Sequence, residues 1–161
     1  LLPRARFDNS PGDDTVRVAD PVLLGFARER AAYIARLDGR IEAVLLPVVA
    51  TAGYAGAIEL LVGIDREGVI TGVRVLAHHE TPGMGAQIEA RHGNWLRQFV
   101  GRSLRDPERE RWAVRRDGGD FDQFTGATVT PRAVVGAVRK ALVYVERHHD
   151  ELFAAAAAPT A

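Results

Sequence analysis

The chain has no cysteine, no excess of either charge (Lys+Arg 21 against Asp+Glu 21) and few aromatic residues, 7% of 161. Without thiols, thiolate zinc sites, iron–sulfur clusters, disulfides and thiol catalysis are all excluded, so any redox chemistry has to arrive on a cofactor. A balanced charge lacks the clustered basic field that phosphate neutralisation requires, which argues against nucleic acid as a partner. The longest apolar runs, Ala43 to Ala50 and the stretch around Leu152 to Ala158, fall well short of the roughly 20 residues that a spanning helix needs.

What remains is ordinary globular material, with 47% hydrophobic and 26% charged residues in a length suited to one domain. Residues 1–20, broken early by Pro3, Pro11 and Gly12, read as an irregular leader or linker. The chain opens on Leu1 rather than Met, and we expect it to be a piece from which an N-terminal anchor has been removed. Residues 21–153 are expected to form the domain, and 154–161 an Ala-rich disordered tail.

Asp38-Gly39 lies between two β-rich runs, Tyr33 to Leu37 and Arg40 to Val49, and predicts a tight hairpin. Ile58, Leu60, Val62 and Ile64 alternate along one run and Val69, Thr71, Val73 and Val75 along the next, the signature of half-buried antiparallel strands. Ile88, Trp95, Leu96 and Phe99 suggest short helical pieces, and Trp112 to Val114 a short strand closed by Asp117-Gly118-Gly119. From Pro131, the residues Val134, Val138, Ala141, Leu142 and Val145 mark one face of a long helix, with Thr130 expected as its N-cap and Pro131 as its first residue. Strands precede the helix without βαβ alternation, so the fold class is α+β with a largely antiparallel sheet and flanking helices.

The densest chemistry lies just before that helix, in Asp122-Gln123-Phe124-Thr125-Gly126-Ala127-Thr128-Val129-Thr130-Pro131. Small residues and hydroxyls at a helix N-terminus suit a phosphate, because unpaired amides and the helix dipole favour negative charge there. The same residues would serve equally in a plainly capped helix, and local physics leaves both readings open.

This segment also resembles, position for position, the flavinylation motif Asp-x-x-Ser/Thr-Gly-Ala-Thr of the FMN-binding domains. Glu80-Thr81-Pro82-Gly83-Met84-Gly85 is similar to the Glu-Thr-Pro-Gly-Leu-Gly segment of the same domains. The run from Gly53 to Val75, the Asp117 to Gly119 turn and Pro131 to Leu142 resemble the G subunit of Rnf ion-translocating oxidoreductases. The C subunit of the sodium-pumping NADH:quinone oxidoreductase shares the two motifs. Met84 in place of Leu keeps a similar apolar volume, and Thr125 in place of Ser lies within the pattern.

The resemblance implies FMN joined to Thr128 through a phosphoester, installed by a flavin transferase that recognises Asp122, Thr125, Gly126 and Ala127. Cofactor contacts would come from Glu80, Thr81, Pro82, Gly83, Met84, Gly85, Thr125, Gly126, Ala127 and Thr130. It further implies a subunit anchored by one N-terminal helix in the inner membrane, with this domain facing the periplasm. The complex would couple electron transfer between ferredoxin and NAD to ion movement, and its partners would be the other subunits, including the other flavinylated one. No side chain is expected to turn over substrate, and no turnover is expected of the domain in isolation.

His78, His79 and Glu80 do not suggest a metal site, since neighbouring strand residues point to opposite faces. Ser103 has no accompanying His and Asp arrangement for nucleophilic work. Trp95 and Trp112 could flank a flavin or belong to the core. Two other readings are a non-covalent flavin-binding sensory module, which would release flavin on denaturation, and a structural adaptor, which would never be yellow.

Overall fold

The computed structural model describes residues 1–51, 56–78, 95–123 and 128–154. Five strands form an antiparallel meander in the order β1-β2-β3-β4-β5. They are β1 (Thr15–Asp20), β2 (Phe26–Leu37), β3 (Arg40–Ala50), β4 (Ile58–Asp65) and β5 (Ile70–Ala77). Among the described residues one long helix, α1 (Val129–Arg147), packs on β3 and β4, and a π-type turn at Asp150–Ala154 follows it. The α+β class with an antiparallel sheet is therefore what the structure has.

The core follows from the pleat. Ala50 faces Ile58, Val48 faces Leu60, Leu46 faces Val62 and Val44 faces Ile64, and all eight side chains are buried. Alternate residues of two paired strands share one face, so this ladder is a continuous apolar surface. The stripe of α1 formed by Val134, Val138, Ala141, Leu142 and Val145 is buried in the same core. Phe99, Trp112 and Phe121 extend that core as a stacked aromatic cluster, with Trp112 and Phe121 centroids 4.5 Å apart and those of Phe99 and Phe121 5.1 Å apart.

The hairpin at Asp38-Gly39 forms as expected, with φ of 52° and 78° at the two turn residues. The four residues between β4 and β5 are organised by Asp65, whose Oδ1 accepts from the amides of Glu67 and Val69, each at 3.0 Å. Pro47 is tolerated inside β3 because the pairing of β3 with β2 ends at Leu45–Tyr33. There the first half of β2 pairs with β1 instead.

Two expectations are corrected. The last six residues of the expected leader are β1, and two short 3₁₀ turns, Arg4–Arg6 and Pro11–Asp13, precede it. What orders this region is a buried ion pair distant in sequence. Arg36 Nε donates to Asp14 Oδ2 at 2.7 Å, and Asn9 links Asp14 (3.0 Å), the Ile34 carbonyl (2.8 Å) and the Arg36 amide (2.7 Å). Trp112 to Val114 is not a strand: Val114 makes one isolated bridge to Phe121, and a 3₁₀ turn, Arg109–Arg111, leads into the segment. Ile88 and the Ala-rich stretch 155–161 lie outside the described residues.

Between β1 and β2 the chain is tied tightly to the end of β3. Asp20 Oδ1 accepts from Val22 (2.9 Å) and Leu23 (2.8 Å), and the Val49 amide donates to the Leu24 carbonyl at 2.8 Å. Gly25 has φ +86°, and a Cβ there would run into the Val49 carbonyl. Both the backbone angle and the close approach demand glycine. Gly25→Ala should therefore lose at least ~2 kcal/mol in urea unfolding, and a loss under ~0.5 kcal/mol, the level of an ordinary surface change, would show that the approach is not tight.

Candidate functional site

α1 begins two residues earlier than the sequence suggests. Thr128 occupies the N-cap position, Val129 is the first helical residue, and Thr130 and Pro131 fall inside the first turn. Proline is acceptable there because a first-turn amide has no partner within the helix. Thr130 is only 2% exposed and sits beneath the helix start rather than capping it. Thr128, by contrast, is partly exposed and makes no side-chain capping hydrogen bond. Its carbonyl accepts from the Arg132 amide at 3.0 Å, which starts the helical ladder.

The hydroxyl of Thr128 is thus left at the positive end of a 19-residue helix without being spent on the helix amides. Beside it, a cleft of about 510 Å³ opens between the first turns of α1 (Val129, Arg132, Ala133) and Val22, Leu23 and Thr51. Val22 and Val129 are large apolar side chains left 72% and 41% exposed. A hydroxyl not spent on capping, favourable helix electrostatics and apolar surface close by suit a flavin phosphate, and the residues present fit that group.

Asp122, at the other end of the motif, is held on three sides. Its amide donates to Gln98 Oε1 at 2.8 Å, its carbonyl accepts from Trp95 Nε1 at 2.7 Å, and its carboxylate accepts from Arg115 Nε at 2.5 Å. Trp95 packs edge-on against Phe99, 5.5 Å between centroids, so the aromatic cluster supports this end of the motif. Trp112 lies in the core, donating to the Ser103 carbonyl at 2.8 Å. Of the expected site residues, Glu80, Thr81, Pro82, Gly83, Met84, Gly85, Thr125, Gly126 and Ala127 lie outside the described residues, as does His79. Among the described residues no group of three or more His, Asp or Glu could hold a metal ion.

The structure adds residues that sequence reasoning missed. Arg132, one helical turn after Thr128, grips Asp117 in a two-pronged pair, Nε to Oδ2 at 2.6 Å and Nη2 to Oδ1 at 3.0 Å. Asp117 closes a 3₁₀ turn, Arg115–Asp117, which ends at Gly118 with φ +89°. The spacing of four between Thr128 and Arg132 was available as a signal, since it places both on one helix face. The partner on the preceding turn was not.

Residues 53–143 match the FMN-binding domain family. The G subunit of the ion-translocating oxidoreductase complex of Pseudomonas aeruginosa (strain UCBPP-PA14) is 53% identical over 154 residues, covering 96% of this chain and 72% of that protein. The corresponding subunits of Vibrio cholerae (strain M66-2) and Shewanella oneidensis (strain MR-1) are 46% and 44% identical, over 94% and 95% of this chain and 72% of each. In fold, the chain resembles the crystal structure of Shewanella oneidensis NqrC, with a TM-score of 0.62 at 22% identity over 92% of this chain and 72% of that one. The class that the family match defines is an FMN-binding domain. Within that class, the chain belongs to the family of G subunits of ion-translocating oxidoreductase complexes.

The Arg132 hydrogen bond holds the Asp117 carboxyl below its ordinary value of 3.8. A carboxyl lowered on folding stabilises above its unfolded pKa, and that contribution is lost as pH falls through the folded one. The pair is therefore intact throughout neutral and mildly acidic pH. An NMR titration of Asp117 should give a midpoint below 3.8 that returns toward that value in Arg132→Gln. A midpoint at or above 3.8 in the unmodified protein would contradict the pairing.

Proposed function

We propose that this chain is the electron-carrying flavoprotein subunit of a membrane-bound, Rnf-type ion-translocating oxidoreductase, with FMN joined to the Thr128 hydroxyl through a phosphoester. The observation that carries the reading is the uncapped, partly exposed Thr128 hydroxyl at the start of α1, at the last position of Asp122-x-x-Thr125-Gly126-Ala127-Thr128. The G-subunit relatives and the FMN-binding domain match support the coarser statement of a flavin-bearing subunit.

FMN, when bound, supplies reversible one- and two-electron chemistry. The protein's own part is to hold and orient. Thr128 Oγ would provide the attachment atom, and the amides of Val129 and Thr130, at the positive end of the helix, would hold the phosphoryl group. Val22 and Val129 provide apolar surface beside it. Glu80 to Gly85 and Thr125 to Ala127 would complete the cofactor contacts, with Thr130 supporting the helix start from beneath. Asp122, Thr125, Gly126 and Ala127 would be read by the flavin transferase during maturation.

In this reading the domain faces the periplasm beneath a single N-terminal membrane anchor and exchanges electrons with the other flavinylated subunit. A covalent tether suits that position, because a dissociated cofactor there has no local pool to replace it. Protein co-expressed with a flavin transferase should carry FMN on the peptide containing Thr128, as read by mass spectrometry after denaturation, and Thr128→Val should carry none. An unmodified chain, obtained while the same transferase modifies a control substrate, would overturn the proposal. Flavin that is present but washes away on unfolding would favour a non-covalent binding module.

A further inference from the structure

The two flanks of the Thr128 segment are fastened to one three-residue turn. On the N-terminal side, Arg115 Nε donates to Asp122 Oδ1 at 2.5 Å, and the Arg116 amide donates to Gln123 Oε1 at 3.1 Å. On the C-terminal side, Asp117 of the same turn holds Arg132, whose amide is bonded to the Thr128 carbonyl. Only the four residues 124–127 separate Gln123 from Thr128 in the sequence.

The turn is itself rigidly mounted. The Arg115 amide donates to the Phe121 carbonyl at 2.8 Å, and the flanking Val114 and Phe121 are fully buried in the core. Gly119 donates to the Val114 carbonyl at 3.0 Å and lies so close to the Ala113 carbonyl that a Cβ would collide with it. Gln98 and Trp95 hold Asp122 from the opposite side. Exposed ion pairs of this kind contribute little to global stability. Two-pronged Arg–carboxylate geometry contributes direction instead, fixing one side chain relative to another.

We propose that the Arg115–Asp117 turn is a positioning clamp, which fixes both sides of the flavin-bearing Thr128 to the aromatic core and so holds the attached cofactor in one orientation. Arg115, Asp117 and Arg132 are its positioning residues; none of them needs to touch the reacting ring. The proposal rests on attachment of FMN at Thr128. It adds that the tether alone does not orient the flavin: a phosphoester and a ribityl chain contain many rotatable bonds, and a fixed attachment point is needed before weak ring contacts can select one pose.

The test uses the flavinylated chain and a doubly broken variant, Arg115→Gln with Asp117→Asn. Mass spectrometry first establishes FMN on Thr128 in both. Time-resolved anisotropy of the flavin in the unmodified chain should follow the tumbling of the whole domain, whereas the variant should gain a fast local component and at least twofold greater quenching by iodide. The urea midpoint should hardly move. In the flavin-free chain, hydrogen exchange at the Arg132 amide, which donates to the Thr128 carbonyl, should rise about tenfold when the clamp is broken, a readout independent of the cofactor. Exchanging the charges, Asp117→Arg with Arg132→Asp, should restore slow exchange relative to either single change. An unmodified chain without FMN on Thr128 overturns the reading on which the clamp rests and the clamp with it. FMN on Thr128 with anisotropy, quenching and exchange all unchanged by the variant overturns the clamp alone.

Discussion

The burial of the α1 stripe against the ladder shared by β3 and β4 sets the position of everything else in the molecule. Val44, Leu46, Val48 and Ala50 on one strand, matched by Ile64, Val62, Leu60 and Ile58 on the next, give the helix one apolar surface to lie on. Burying a Val or Leu side chain contributes roughly 1.5–3 kcal/mol, so Val134, Val138, Leu142 and Val145 anchor the helix firmly. Once it is seated, the start of α1 has to lie beside the end of β3 and the β1–β2 connection, where Thr51, Leu23 and Val22 line the adjoining cleft.

That constraint explains why the helix start can do without a capping side chain here. A capping residue normally spends its hydroxyl on the amides behind it. Thr128 does not, and the helix holds regardless because its stability comes from packing rather than from its cap. The balanced charge takes on a similar meaning: much of the arginine around the site is paired locally, Arg111 with Asp120, Arg115 with Asp122 and Arg132 with Asp117, and the pairs orient segments instead of creating a long-range field.

The parts of the fold governed by local pattern were legible in the sequence. The Asp38-Gly39 hairpin, the alternation of β4 and β5 and the stripe of α1 need only turn chemistry and periodicity to be seen. The parts held by distant partners were not. β1 depends on the first half of β2, whose Arg28-Glu29-Arg30 is exposed and reads as solvated chain, and on an Asp14–Arg36 pair 22 residues apart. The site divides in the same way. Thr128 and Asp122 were visible as motif residues and through resemblance to a known family, whereas Asp117 acquires its role only when folding brings it to Arg132.

The proposed function turns on a covalent bond between one hydroxyl and one phosphorus, and phosphorus NMR tests it most directly. The flavin-loaded protein would be unfolded, dialysed free of small molecules and titrated from pH 8 to pH 5. A phosphodiester has no ionisation in that range, whereas a phosphate monoester titrates near pH ~6. With FMN on Thr128, one resonance should remain with the chain and should not move with pH. Loss of phosphorus on dialysis, or a resonance that titrates near pH ~6, would contradict the attachment.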